Sequence, residues 1–346
     1  MRNSLFMTLL LSLGLGILSA ACLAAEPEVL TLKPQLKKGD SFTLQITRSR
    51  QQTRGSRDIS GQATLLADIT VLEAGLEGYV VSCTYRKTRV EGAEAEQIKA
   101  NPASKILLDM WNNIPIHLKL SPDYAVTGLA NYEAVRKAMD ASTEKMLAAM
   151  AFDAEKEKAL RQTVSQVVSS EQLVSQLVAR ELAIYLSFNG DFAKASDAKV
   201  SNVEFPSPYG GDPLPGKCTT KVESTDEKKS KAVVVRESEI DGESLREQVV
   251  KTVQDMDRKA GRQPMADDQI PEMEMRDLTR AVIDLKTQWP QTVQMERITV
   301  SGPQNRVDGT KVVRLSAGAD FQDEPKEKAD SDAPSNGKAV PSDGAK

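Results

Sequence analysis

"GQATLLADITVLEAGLEGYVVSCTYRKTRV", residues 61–90, decides the fold. Ala63, Leu65, Ala67, Ile69 and Val71 recur at every second position. After a short break, Tyr79, Val81, Cys83 and Tyr85 do the same. An apolar period of two marks a strand buried on one face. The join "EAGLEG" is short and glycine-bearing, which makes the two strands antiparallel neighbours. Working outward, "SFTLQITRSR" (41–50) carries Phe42, Leu44 and Ile46 in the same rhythm, and "IPIHLKL" (114–120) carries Ile114, Ile116, Leu118 and Leu120. "SPDYAVTGL" reads as a turn into a further strand. A short helix is expected around Lys105 to Trp111.

At Asn131 the period changes to that of a helix. Tyr132, Val135, Met139, Met146 and Met150 fall on one face, with Asn131 as N-cap. A second helix is expected over Asp153 to Val168. A third begins in "SSEQLVSQLVAREL", with Ser169 and Gln172 spaced as a capping box. Its broad apolar set of Leu173, Leu177, Ile184 and Phe188 implies burial on more than one side. "FPSPYGGDPLPG" (205–216) is irregular by its Pro and Gly content. Strands resume at Lys217 to Val222 and Lys231 to Glu237, with "STDEKKS" as the tip between them. Asp241 caps a helix at about 242–261 that Gly261 ends. Three strands follow, at Thr279 to Gln288, Gln291 to Val300 and Val307 to Leu315. Strands in runs and helices in separate blocks argue for α+β with a curved antiparallel sheet, and against alternating βαβ. The sheet draws on an N-terminal run (26–129) and a C-terminal run (205–316). The helical block (130–188) packs on it, giving one domain over 26–316. From Ala317 to Lys346 there is hardly an aliphatic residue, and disorder is expected.

The first 25 residues read as a secretory signal. Leu5 to Leu18 is an apolar run of about 14 residues, short for a membrane-spanning helix. "SAAC" (19–22) resembles a bacterial lipoprotein box that would lipidate Cys22, though Ser19 stands where a large aliphatic residue is usual. Cleavage after Ala24 or Ala21 would instead give a soluble exported protein. Both readings place the chain in the periplasm or cell envelope, with a membrane reached only through Cys22.

Composition narrows the function. The net charge of −4 and the absence of a basic stretch argue against nucleic acid as a partner. Aromatics at 4% argue against a stacking platform. With His117 as the only histidine and no C-x-x-C, a zinc or thiol-redox motif has no basis, and no cofactor is implied. His117 alternates with apolar neighbours and should face outward beside Lys119. No G-x-S-x-G is present, so no catalytic residue is assigned. Asp267, Asp268, Glu272 and Glu274 match no EF-hand spacing and read as a solvated linker, so no metal ligand is assigned. Cys83 and Cys218 share strand parity and either bond across the sheet interior or stand as two buried thiols. Met139, Met146, Met150 and Leu177 are either core packing or the adaptable lining of an apolar ligand site.

"LKKGDSFTLQITRSR", "IPIHLKLSPDYAVTGLANYEAVRKAM" and "VIDLKTQWPQTVQMERITV" together resemble a loose group of exported bacterial envelope proteins known only as domains of unknown function. The resemblance covers most of residues 30–316 and brings no functional residue with it. The arrangement is also similar to periplasmic carriers that cup a lipid in a curved sheet under helices. Three readings follow. The first is a non-enzymatic binder of an apolar ligand or a lipoprotein. The second is a structural or interaction module with a filled core. The third is an enzyme using carboxylates or a metal.

Overall fold

The computed structural model describes residues 29–323 except 55–56, 93–94, 97–105, 107–110, 151–152, 195–197, 199, 206, 208–212, 260 and 262. The expected signal, Cys22, most of the helix expected near Lys105, and residues 324–346 lie outside the described residues.

Antiparallel strand dominates, as the alternation requires, and four helices are described. The strands are β1 (Val29–Leu32), β2 (Ser41–Arg54), β3 (Arg57–Gly75), β4 (Gly78–Glu91), β5 (Pro115–Leu120), β6 (Val126–Leu129), β7 (Gly190–Ala193), β8 (Val200–Phe205), β9 (Leu214–Asp226), β10 (Lys231–Ile240), β11 (Met273–Asp284), β12 (Pro290–Ser301) and β13 (Gln304–Leu315). The helices are α1 (Tyr132–Met150), α2 (Ala154–Val168), α3 (Glu171–Leu186) and α4 (Gly242–Lys259). Eleven strands form one open sheet in the order β6-β5-β4-β3-β2-β13-β12-β11-β10-β9-β8. The last strand of the chain thus pairs with the second and joins the two expected runs. β1 and β7 form a separate two-stranded ribbon. Neither was foreseen, because four residues are too few to show a period; nor was β8.

The β3–β4 turn shows why glycine is needed there. Gly78 has φ +128°, and a Cβ at that position would lie 2.1 Å from the Leu120 carbonyl oxygen. Ladder register then sets the inner face. Leu65, Ile46, Val312, Val293, Ala281, Val234 and Val222 stand opposite one another across seven strands. All are buried. This row belongs to the main core, together with Phe42, Tyr185 and Trp289.

α3 seals that core. Tyr185 stacks on Trp289 with ring centroids 6.1 Å apart and donates to the Pro290 carbonyl at 3.0 Å. Its hydroxyl is pushed up to about 12, first by burial. At the start of α3, Glu171 accepts from the Leu129 amide of β6. Just past its end, Ser187 accepts from Arg236 of β10. A helix of 16 residues is about 24 Å long.

Several expectations need correction. The third helix is capped by Ser170, which accepts from the Leu173 amide at 3.3 Å, not by Ser169. Asn131 does precede α1, but its side chain clamps β5 instead of capping: it accepts from the His117 amide and donates to the Pro115 carbonyl. Leu173 and Leu177 are 47% and 51% exposed; the buried stripe of α3 is Val174, Val178, Leu182 and Tyr185. Two adjoining apolar stripes on one helix do not say which of them meets the sheet. The tail does not leave the fold at Ala317 either. Residues 318–323 lie over the outer face, where Gln45 exchanges two hydrogen bonds with the backbone of Gln322 and Thr43 accepts from Gly318. Arg86 donates to the Ala319 carbonyl, and Lys87 pairs with Asp320 at 2.7 Å. Thr43 and Gln45 are consequently buried although polar. Asp241 does cap α4, accepting from the Ser244 amide at 2.9 Å.

Candidate ligand-binding trough

The inner face changes character within two rows of the sealed apolar row. The next row runs Arg48, Thr310, Met295, Thr279, Arg236 and Thr220 from β2 to β9. The one after it runs Arg50, Asp308, Arg297, Asp277, Ser238, Cys218 and Ser201, ending on β8. Beyond these rows a second apolar cluster forms where Leu245 and Val249 of α4 pack on Leu214, Ile240, Met273 and Met275. Met273, Met275, Asp277, Thr279, Ala281 and Ile283 all share one parity on β11. The two apolar clusters and the polar rows therefore occupy the same face. α3 covers one end and α4 the other, and the middle is a trough.

Its larger cavity is about 830 Å³. Val29, Ile184, Val203, Phe205 and Met295 supply apolar wall; Arg236, Ser238, Asp277 and Thr279 supply polar groups. Gly216 makes room for this wall, since a Cβ there would lie 2.6 Å from the Phe205 ring. Arg236 sits at the inner end. It donates to the Ser187 carbonyl at 3.0 Å and the Ser187 hydroxyl at 3.1 Å, and lies over the Phe188 ring at 5.0 Å. A cation at the C-terminal end of a helix is favoured by the exposed carbonyls there. Burial lowers its pKa, and among the described residues no carboxylate pairs with it.

A second cavity of about 510 Å³ lies along the same face towards β2, with β12 as the shared wall. Arg297 on that strand is bidentate to Asp277, at 2.6 and 2.7 Å. That bond raises the Arg297 pKa against the opposing effect of burial. Asp308 takes Arg306 at 2.6 Å and Arg50 at 3.1 Å. Burial pushes its carboxyl up, but hydrogen bonds from these two arginines outweigh it and hold the pKa below the ordinary value. Above them, the fully buried Glu181 of α3 has the Arg48 guanidinium 2.8 Å away.

The residues expected to line a ligand site do not meet here. Met139 and Met146 are buried core, while Met150 and Leu177 face outward; none of the four lines either cavity. Phe42, Tyr185 and Trp289 fill the core under α3, while a further cavity of about 820 Å³ lies between α3 and β6, lined by Val126, Gly128, Glu171 and Ala183. Cys83 and Cys218 are both free. Their strands are separated by six others in the sheet, so shared parity did not bring them together. Burial pushes the Cys83 thiol up to about 12, whereas Cys218 lies in the larger cavity with the Ser238 hydroxyl donating to it at 3.5 Å. Among the described residues, no group of three metal-ligating side chains comes together. The trough residues do carry a sequence signal: on three strands the apolar alternation breaks to Arg or Asp within two adjacent rows, at Arg48, Arg236 and Asp277.

No family model matches the chain, and no curated protein does. One solved structure, described as "Lipid-protein interactions in lipovitellin", is similar with a TM-score of 0.37 and 7% identity, over 84% of this chain and 27% of that one. The chain thus spans about a quarter of that structure's length, and a likeness this distant carries no functional argument.

Proposed function

We propose that the protein is a non-enzymatic binder of an amphiphilic, lipid-like ligand, held in the trough between α3 and α4. The observation that carries this is the cavity of about 830 Å³ on the inner face of the sheet. Interiors normally pack densely, and burying apolar surface is worth about 25 cal/mol per Å². A fold that caps both ends of one sheet face and leaves its middle open forgoes that gain. Apolar walls with a few placed polar groups are the usual make-up of a small-molecule site. The N-terminal segment supports work outside the cytoplasm, where hydrophobic ligands need a carrier.

A fluorescent fatty acid titrated into the full chain tests the reading. Saturable uptake is expected, and Val203→Asp should abolish it while leaving the thermal midpoint nearly unchanged, because Val203 is only half buried. Met146→Lys should instead unfold the protein. No uptake by the unaltered chain would overturn the proposal.

The interaction-module reading is kept alive by one observation. Leu173 and Leu177 form an exposed apolar ridge on α3. If that ridge were the functional surface, Leu177→Glu would abolish a protein contact and leave fatty-acid uptake intact.

A further inference from the structure

The smaller cavity has an electrostatic surplus that its own ladder does not consume. Arg48, Arg50, Arg180, Arg297 and Arg306 line it. The carboxylates paired with them are Glu181, Asp308 and Asp277. Among the described residues, five guanidinium groups thus face three carboxylates, a surplus of two positive charges. Arg180 is the clearest member of the surplus. It projects from α3, is exposed, and has no acidic partner among the described residues. Space is left for an anion by the residues opposite the arginines: across the β2–β3 ladder, Ala63 faces Arg48 and Gly61 faces Arg50. Larger side chains at those two positions would occupy the floor of the cavity.

Arg236, at the far end of the trough, is a poorer anion site. Ser187 and the Phe188 ring already hold its guanidinium. The two cavities meet along β12, where Met295 of the larger one stands opposite Thr310 of the smaller, and Arg297 of the smaller holds Asp277 of the larger. The two cavities thus adjoin across β12, one with mainly apolar walls and the other arginine-rich.

We propose that the arginine-rich end receives the phosphate-class oxyanion of an amphiphile whose apolar part lies in the adjoining cavity. The inference rests on the ligand-binding reading above. Guanidinium groups suit this chemistry, because their planar donor pairs match oxyanion geometry and remain charged when partly buried.

Calorimetric titration of the full chain with three probes tests it: a short-chain phosphatidic acid, the diacylglycerol of the same chain length, and inorganic phosphate. Phosphatidic acid should bind at least about tenfold more tightly than diacylglycerol, the worth of one charge-assisted hydrogen bond. Inorganic phosphate should bind more weakly than phosphatidic acid, because it leaves the apolar cavity unfilled. Arg180→Glu should remove the preference and leave diacylglycerol binding in place, whereas Val203→Asp should weaken both lipids. Equal affinity for the two lipids would overturn the headgroup assignment while the ligand-binding reading stands. Inorganic phosphate binding as tightly as phosphatidic acid would overturn it too, showing a free-anion site. Failure of all three probes to bind would remove the ligand-binding reading itself.

Discussion

Two halves of one sheet face carry the same alternation and have opposite fates. At the row of Ile46, Val312 and Val293, α3 closes over the strands and the side chains are fully buried. Two rows away, at Arg50, Asp308, Arg297 and Asp277, the same strands present a charged ladder to an open trough. Period-two alternation says which way a side chain points. It does not say whether a helix will cover it. Here the helix length decides: α3 ends at Leu186, and its first residue beyond, Ser187, is where Arg236 begins the polar region.

The sharpest way to break this contrast is to empty a site in each half. Trp289→Ala removes a ring packed on Phe42, Tyr124 and Tyr185. It should cost about 3–5 kcal/mol by urea unfolding, while Val203→Ala in the trough should cost less than about 1 kcal/mol. Similar losses at both sites would mean that the trough is packed as tightly as the core.

Next comes the seam between the halves, where Glu181 is buried at the edge of the sealed region. Arg48→Ala leaves that carboxylate without its cation. Breaking a buried pair costs about 3–5 kcal/mol; Arg48 is half exposed, so about 2 kcal/mol is expected. Adding Glu181→Leu should recover most of that loss. If the double variant is no more stable than Arg48→Ala alone, the pair does not define the boundary.

The outer face makes the same point by other means. Buried Thr43 and Gln45 are covered not by a helix but by residues 318–323. Ending the chain at Ser316 should lower stability by about 1–2 kcal/mol, because Gln45 loses both partners. Ending it at Asp323 should leave the thermal midpoint where it was. Equal midpoints for the two truncations would show that this cover contributes nothing.

The smallest effect is that of pH. Asp308 has a folded-state pKa held below its ordinary value of about 3.9. Its contribution to stability is therefore present above that value and lost as pH falls through the lower folded-state pKa. Asp308→Asn should flatten this acid limb by well under about 1 kcal/mol, since the group is only partly buried. An unchanged acid limb would remove Asp308 from the ladder's energetics.

Much of the sheet was legible in the sequence because long strands repeat their period many times. β2, β3, β4 and β5 were read from alternation, the last three strands were expected too, although β11 begins at Met273 and not at Thr279, and the change of period at Asn131 located α1. β1 and β7 are four residues long and too short to show a period, and β8, though as long as β5, alternates less clearly, with Ser201, Val203 and Phe205 on its inner face. The order of the strands was not legible either, because pairing β13 with β2 is a contact between residues 250 or more positions apart that no local pattern encodes. The site was misplaced for a related reason. A stripe of methionines marks an apolar face, but Met139 and Met146 face their own core. The signal that did mark the trough was the interruption of alternation by Arg236 and Asp277, visible only once their strands are known to be neighbours.

The central claim is that the open half of the inner face, not the helical block, holds the ligand. A photoactivatable fatty acid bound to the full chain, irradiated and mapped by peptide mass spectrometry, tests it most directly. The account predicts label on β8 and β12, around Val203, Phe205 and Met295. Label concentrated on residues 132–168, around Met139 and Met146, would contradict it.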